Sequence, residues 1–458
     1  MKLTIRLLTV LLLVEVMTCG WLISGRLFQA VPVIPTFKLD DPVLGGEIEE
    51  LASIAQTGGD AEWQKLSEAL MSHGYYSHAE QNFIQALKLN PENVKARFGL
   101  AFCLDKMGRL EQSTAEYRHF LATETGKPDK ENMNFYALYS IGKNFLREEN
   151  MQDAEATFRE NEEFVPAQYQ LAKLLIRSDR AKQALPIIEK NLKEIPFSLE
   201  FHYLMSIAMD ALNRPDEATA SADMIERSAH LVSLNFNNDY INPFYYQYGL
   251  AKLFNECEML QKQNKPAEFE KKMQFILEKM KGKRLPKYPT ALYQLMLVAE
   301  QRNQPEQMLH FLQEMEKVKV NSSQILYYKG KAYALQNKKD QAAINWEQSL
   351  KMFPNAQVHH DLVIYYLQKK DEKKVRYHSA KEKLLTGIAL YRQNQLEEAL
   401  QEIGKSISIN PEDAFAWYYL GEINHYLGNE KQAEQAFHRC LKISPYHGRA
   451  LDRVKKDS

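Results

Sequence analysis

From residue 61 onward the chain repeats one frame of small, aromatic and proline positions. Recurrence at a fixed spacing constrains the fold more than any local pattern does. The last unit reads Trp417, Leu420, Gly421, Gly428, Ala433, Phe437, Cys440, Pro445. Counted from Gly421, a small residue falls 12 positions later, an aromatic 16 later and a proline 24 later. The frame recurs around Ser67 (Ala79, Phe83, Pro91), Gly142 (Ala154, Phe158, Pro166) and Gly330 (Ala342, Trp346, Pro354). Isoleucine takes the aromatic place around Ala172 (Ala184, Ile188, Pro196) and Gly387 (Ala399, Ile403, Pro411).

Apolar residues three and four apart make each unit two amphipathic helices. A side chain larger than Gly or Ala would hold the helices apart where they cross, so Gly421 is expected to face Ala433. Trp417, Leu420 and Phe437 fill the space beside that crossing, a turn at Gly428-Asn429 joins the helices, and Pro445 stops the second one. One pair cannot bury its apolar face alone, whereas stacked neighbours can. The expected fold is therefore all-α, with about eleven helix pairs. Several stretches depart from the frame. Residues 94–127 keep Ala101 and Gly108, 199–227 fit loosely around Ser206 and Ala218, and 244–280 and 289–319 are degenerate pairs. Ala342 and Ala399 lie less than two full units apart, so residues 357–383 must form a shortened or irregular pair. Residues 235–243 are polar and turn-rich, and read as a hinge between arrays at 61–234 and 244–458, the second ending in a short cap.

This frame resembles the tetratricopeptide repeat (TPR) family, whose units are about 34 residues long. The resemblance runs from residue 61 to the C-terminal end. It implies an α-α superhelix, a TPR-type solenoid, whose concave groove binds a protein or peptide and which performs no catalysis. The layout further resembles bacterial envelope proteins with one N-terminal hydrophobic segment and a periplasmic array. Two roles stay open: a protein-protein interaction scaffold, or a regulatory or assembly subunit of an envelope enzyme, secretion or cell-wall complex.

In this family the first helix of each pair lines the groove. One exposed position there lies three residues before the small reference residue, and it holds Phe98, Tyr139, Tyr169, Tyr203, Tyr293, Tyr327 and Tyr418. Aromatic side chains give large contact area at low entropic cost, and Tyr adds a hydrogen-bonding tip. One turn later come Phe102, Lys143, Lys173 and Lys331, a Tyr/Lys alternation that would suit an acidic partner segment. The same tyrosines could instead pack between neighbouring first helices. A second cluster, Tyr240, Phe244, Tyr245, Tyr246 and Tyr248, reads as core packing rather than as a docking surface. The Lys/Asn/Arg carboxylate clamp of some family members has no counterpart at these tyrosine positions.

Residues 1–30 read as a targeting segment, a hydrophobic helix ahead of the array. Met1-Lys2 through Arg6 is basic, and an apolar run extends from Leu7 to about Ile23. Such a start is a signal anchor or a cleaved signal peptide. Glu15 would cost on the order of a few kcal/mol at mid-bilayer. Either reading puts the body on the non-cytoplasmic side, with the membrane as a partner through this segment. Residues 31–60, broken by Pro32, Pro35 and Pro42, read as a linker with a short helix over 46–55.

Composition removes other classes. A net charge of −1 lacks the basic excess of a nucleic-acid binder. Four scattered cysteines form no CxxC or zinc spacing, and Cys103, Cys257 and Cys440 read as small buried residues. There is no glycine-rich phosphate loop, Gly-x-Ser-x-Gly or His-Glu-x-x-His. His359-His360-Asp361 is the only dense His/Asp run, and adjacent helical residues point about 100° apart. No catalytic residue, metal site or cofactor is expected.

Overall fold

The computed structural model describes residues 30–123, 129–227, 233–234, 240–283, 285–320 and 322–456. The described residues form 24 α-helices and no strand. The N-terminal hydrophobic segment lies outside them. No described helix is long and apolar enough to cross a membrane.

Two compact units divide the chain. The first takes residues up to 187 together with 235–265; the second takes 188–234 and 266–458. This differs from a division at 235–243. The reason lies in what residues 240–265 touch, because they pack on the first unit rather than opening the second array. The helices Gly249–Lys262 and Pro266–Met280, read from sequence as one pair, accordingly fall to different units.

In the first unit, Leu44–Thr57 packs on Asp60–Ser72, which pairs with Tyr76–Leu89. Val94–Lys106 pairs with Leu110–Ala122, and Asp129–Arg147 with Met151–Glu160. The expected linker is not free. The amide of Val33 donates to Asn82 Oδ1 at 2.9 Å, and Asn82 Nδ2 donates back to the Val33 carbonyl at 2.7 Å. Asn82 is fully buried, so these reciprocal bonds satisfy a side chain that would be costly to leave unpaired.

In the second unit the packed pairs are Leu199–Ala211 with Pro215–Arg227, Tyr288–Gln301 with Pro305–Lys317, Ser323–Leu335 with Lys339–Met352, and Ala414–Tyr426 with Glu430–Ile443. The irregular pair resolves into Ala356–Lys369 and a 21-residue helix, Glu372–Arg392. That long helix packs on Ala356–Lys369 before it and on Leu396–Ile409 after it. It serves as the second helix of one pair and the first of the next, so the missing residues are a deleted turn. Gly448–Lys456 caps the end.

The glycine frame works slightly differently from the expectation. A Cβ on Gly421 would sit 2.5 Å from the Phe437 ring, and one on Gly142 would sit 2.5 Å from Phe158. Gly387 meets Ile403 in the same way, and Gly330 meets Trp346. The small residue therefore makes room for the large one 16 positions later, while Ala433 is simply buried nearby. Turns within the pairs close on left-handed residues such as Asn337 and Gly428, the conformation that ends a helix with its last carbonyls satisfied.

Candidate binding faces of the first helices

The seven aromatic positions are divided between the two units. Phe98, Tyr139 and Tyr169 belong to the first unit, and Tyr203, Tyr293, Tyr327 and Tyr418 to the second. Nor are they uniformly exposed. Phe98 is 1% exposed, Tyr139 2% and Tyr418 6%, whereas Tyr203 is 53% exposed and Tyr169, Tyr293 and Tyr327 are half-buried. The expectation of an exposed position fails for Phe98, Tyr139 and Tyr418, each for a visible reason. Tyr139 is closed in by Phe158 and Phe164. Tyr418 lies under His447 of the C-terminal cap, 4.9 Å between ring centroids.

Phe98 is covered by the chain itself. Tyr240 places its ring 4.3 Å from Phe98 and 5.4 Å from Phe102, with Tyr136 at 6.3 Å. Phe244 packs behind Tyr240 at 5.3 Å, and Ile241 is buried against the same core. Tyr245 reaches His73 at 5.1 Å, and the Tyr248 hydroxyl donates to the Lys65 carbonyl at 3.5 Å. The segment therefore crosses the first helices Asp60–Ser72, Val94–Lys106 and Asp129–Arg147 on the face expected to hold a ligand. The reading of this cluster as core packing fits Tyr240, Phe244 and Tyr248, which pack against this core, while Tyr246 is exposed.

The rim of this seat is acidic. Glu47 Oε2 accepts from the Gly249 amide at 2.6 Å, and Asp41 Oδ2 from the Leu250 amide at 2.8 Å. Lys252 Nζ lies 3.3 Å from Glu47. Glu68 is buried beside Tyr240 and Tyr248; burial raises its pKa above the usual carboxylate value, against the pull of a hydrogen bond from Gln64. The lysine expected to face an acidic ligand is inward-turned here. Lys143 lies over the Tyr139 ring at 4.6 Å, and burial lowers its pKa. Lys173 is exposed.

The second unit brings a tighter cluster together. The Tyr293 hydroxyl donates to that of Tyr328 at 3.3 Å and accepts from Gln324 Nε2 at 2.7 Å. Tyr327 and Tyr328 pack at 5.2 Å, and Lys331 lies over both rings while its ammonium bonds Glu300. Burial raises the pKa of Tyr327, reinforced by Asp361 and Glu300. A cavity of about 220 Å³ opens beside Tyr293 and Tyr328, floored by Leu312 and Met315. Tyr328 carries no sequence signal of its own. Its place in the frame, next to Tyr327, is aromatic again only at Tyr419, so the repeat does not mark it.

His359, His360 and Asp361 diverge: His359 bonds His378 at 2.8 Å, His360 faces Glu382 at 3.3 Å, and Asp361 bonds Gln357 at 3.3 Å. Among the described residues no group of three His, Cys, Asp or Glu could hold a metal ion. Cys103, Cys257 and Cys440 are buried.

Family models for the tetratricopeptide repeat match residues 70–123, 324–356 and 414–447. The chain carries tetratricopeptide repeats. No curated protein matches it in sequence. Among solved structures it is similar to a tetratricopeptide repeat protein from Parabacteroides merdae, with 14% identity over 70% of this chain and 99% of that one, at a TM-score of 0.30. It is also similar to MamA from Desulfovibrio magneticus RS-1, with 22% identity over 35% and 97% of the two chains and a TM-score of 0.19. YrrB, described as a TPR protein with an unusual peptide-binding site, shares 16% identity over 44% and 90%, at a TM-score of 0.22.

Proposed function

We propose that this protein is a non-catalytic protein-protein interaction scaffold that takes partner segments on the first-helix faces of its repeats. One observation carries the reading: a peptide-like stretch, Tyr240–Tyr248, is already seated on such a face through aromatic anchors. In the second unit the half-buried Tyr293 and Tyr327, the Tyr328 beside them and the adjoining cavity offer a comparable seat, lined by residues of the local repeats. The basic start and apolar run within residues 1–30 support a body held at a membrane, or exported, on the non-cytoplasmic side.

Affinity capture with the tagged full-length chain, quantified for stoichiometry, tests the scaffold reading. A protein recovered in fixed ratio and lost on Tyr293→Ala/Tyr327→Ala supports it; recovery that ignores that substitution removes the second unit's face from the proposal.

A further inference from the structure

The segment seated on the first unit shows what that face accepts. Its anchors fall at Tyr240, Phe244 and Tyr248, four residues apart, with Ile241 filling the gap beside the first. Its tail then meets carboxylates: two backbone amides and the Lys252 ammonium end on Asp41 and Glu47. Aromatic anchors followed by a basic residue thus match an aromatic floor followed by an acidic rim.

The segment is also unlike a repeat. Ahead of Gly249–Lys262, whose first turn carries Lys252, its helix is the four-residue Asn242–Tyr245, which is not half of a pair. Rings, hydrogen bonds through backbone groups and an ion pair join it to the face, and Tyr246 stays largely exposed. Its contacts span up to 209 residues of sequence, so it reaches the face as a tethered ligand would. A tethered ligand holds its site through effective concentration, and an outside segment of the same chemistry competes with it.

We propose that residues 240–252 are a displaceable in-cis occupant of the first unit's face, and that its partner is a protein segment with aromatic anchors at four-residue spacing followed by Lys or Arg. This rests on the reading of first-helix faces as peptide seats, but its test needs no captured partner.

The probe is a fluorescein-labelled synthetic peptide of residues 240–253, titrated into the full chain and followed by anisotropy. Tyr240→Ser/Phe244→Ser empties the seat in cis, and the peptide is expected to bind this variant at least tenfold more tightly than the native chain. Lys252→Glu is the gentler variant. It places a carboxylate against Glu47 without touching the rings, and peptide binding should rise in the same direction. Glu47→Lys should then lose the peptide, and a peptide carrying Glu at position 252 should regain it. Equal binding to native and emptied chains, or none to a variant whose melt is native-like, overturns the proposal. So does a native dimer that dissociates on Lys252→Glu, since the seat would then be filled by a second copy. If the peptide binds as expected but capture yields no partner, the scaffold reading fails while the occupancy stands.

Discussion

At the scale of single residues, the glycine-to-ring contact is the sharpest feature. Gly421→Leu would drive a branched side chain into the space of the Phe437 ring. Overpacking of that kind costs about 1–3 kcal/mol, and in a stacked array the loss stays near the affected pair. Hydrogen exchange should therefore quicken in Ala414–Tyr426 and Glu430–Ile443 and stay native in the first unit. A uniform change would contradict the contact. A second residue-level prediction concerns pH. His359 and His378 are both 5% exposed, with nitrogens 2.8 Å apart, and His378 stacks on Tyr366. Burial brings the His359 pKa down to about 4, with His378 and Lys381 adding to the effect. Burial lowers His378 too, opposed by Glu347 and assisted by Lys374. The unfolded histidine titrates near 6.5, so the unfolded state binds more protons below that value. Stability from this pair is present above about pH 6.5 and falls as pH drops towards 4, by on the order of 2 kcal/mol. Melts across that window should show the slope, and His359→Asn should flatten it.

At the scale of helices, the sequence is informative where neighbours in the chain are neighbours in space. The 12, 16 and 24 spacing marks contacts between adjacent helices, so Gly142 with Phe158 and Gly330 with Trp346 can be read off directly. The short interval between Ala342 and Ala399 exposes the irregularity, but it does not say that Glu372–Arg392 runs unbroken. That depends on the long helix finding an apolar partner on two successive faces. The burial of Phe98 is not legible at all, because its cover, Tyr240, comes from a segment several repeats further along the chain. Tyr418 escapes sequence reading for a related reason: the cap that places His447 over it carries no repeat frame. A binding prediction belongs at this scale. Tyr293→Ala/Tyr327→Ala removes two half-buried rings from the second unit's seat. Truncating a hot-spot tyrosine costs about 2 kcal/mol or more, so if these rings anchor the partner its affinity should fall by well over tenfold. The melt of that variant, run alongside, should show a native-like transition. A loss of binding that merely tracks unfolding would mean these rings only pack between helices.

At the scale of the whole molecule, the chain path is discontinuous. Residues 240–265 return to a unit begun far earlier in the chain, while 188–234 join the later repeats. Each unit remains a stack of helix pairs presenting first-helix faces, one seated with the chain's own aromatics and one offering Tyr293, Tyr327 and Tyr328. Location belongs here as well. If the basic, then apolar, N-terminus acts as the proposed anchor, the protein should be membrane-associated with its C-terminus accessible from the non-cytoplasmic side. Fractionation and protease protection of C-terminally tagged chain would show this, and soluble cytoplasmic protein with an intact N-terminus would exclude it.

The central claim is that partners are taken on first-helix faces. Hydrogen exchange of the full chain, with and without its captured partner at saturation, reads that claim most directly. Protection is expected in Tyr288–Gln301 and Ser323–Leu335, with Pro305–Lys317 and Lys339–Met352 left as in the free chain. Protection confined to those second helices, or absent from both first helices, would contradict it.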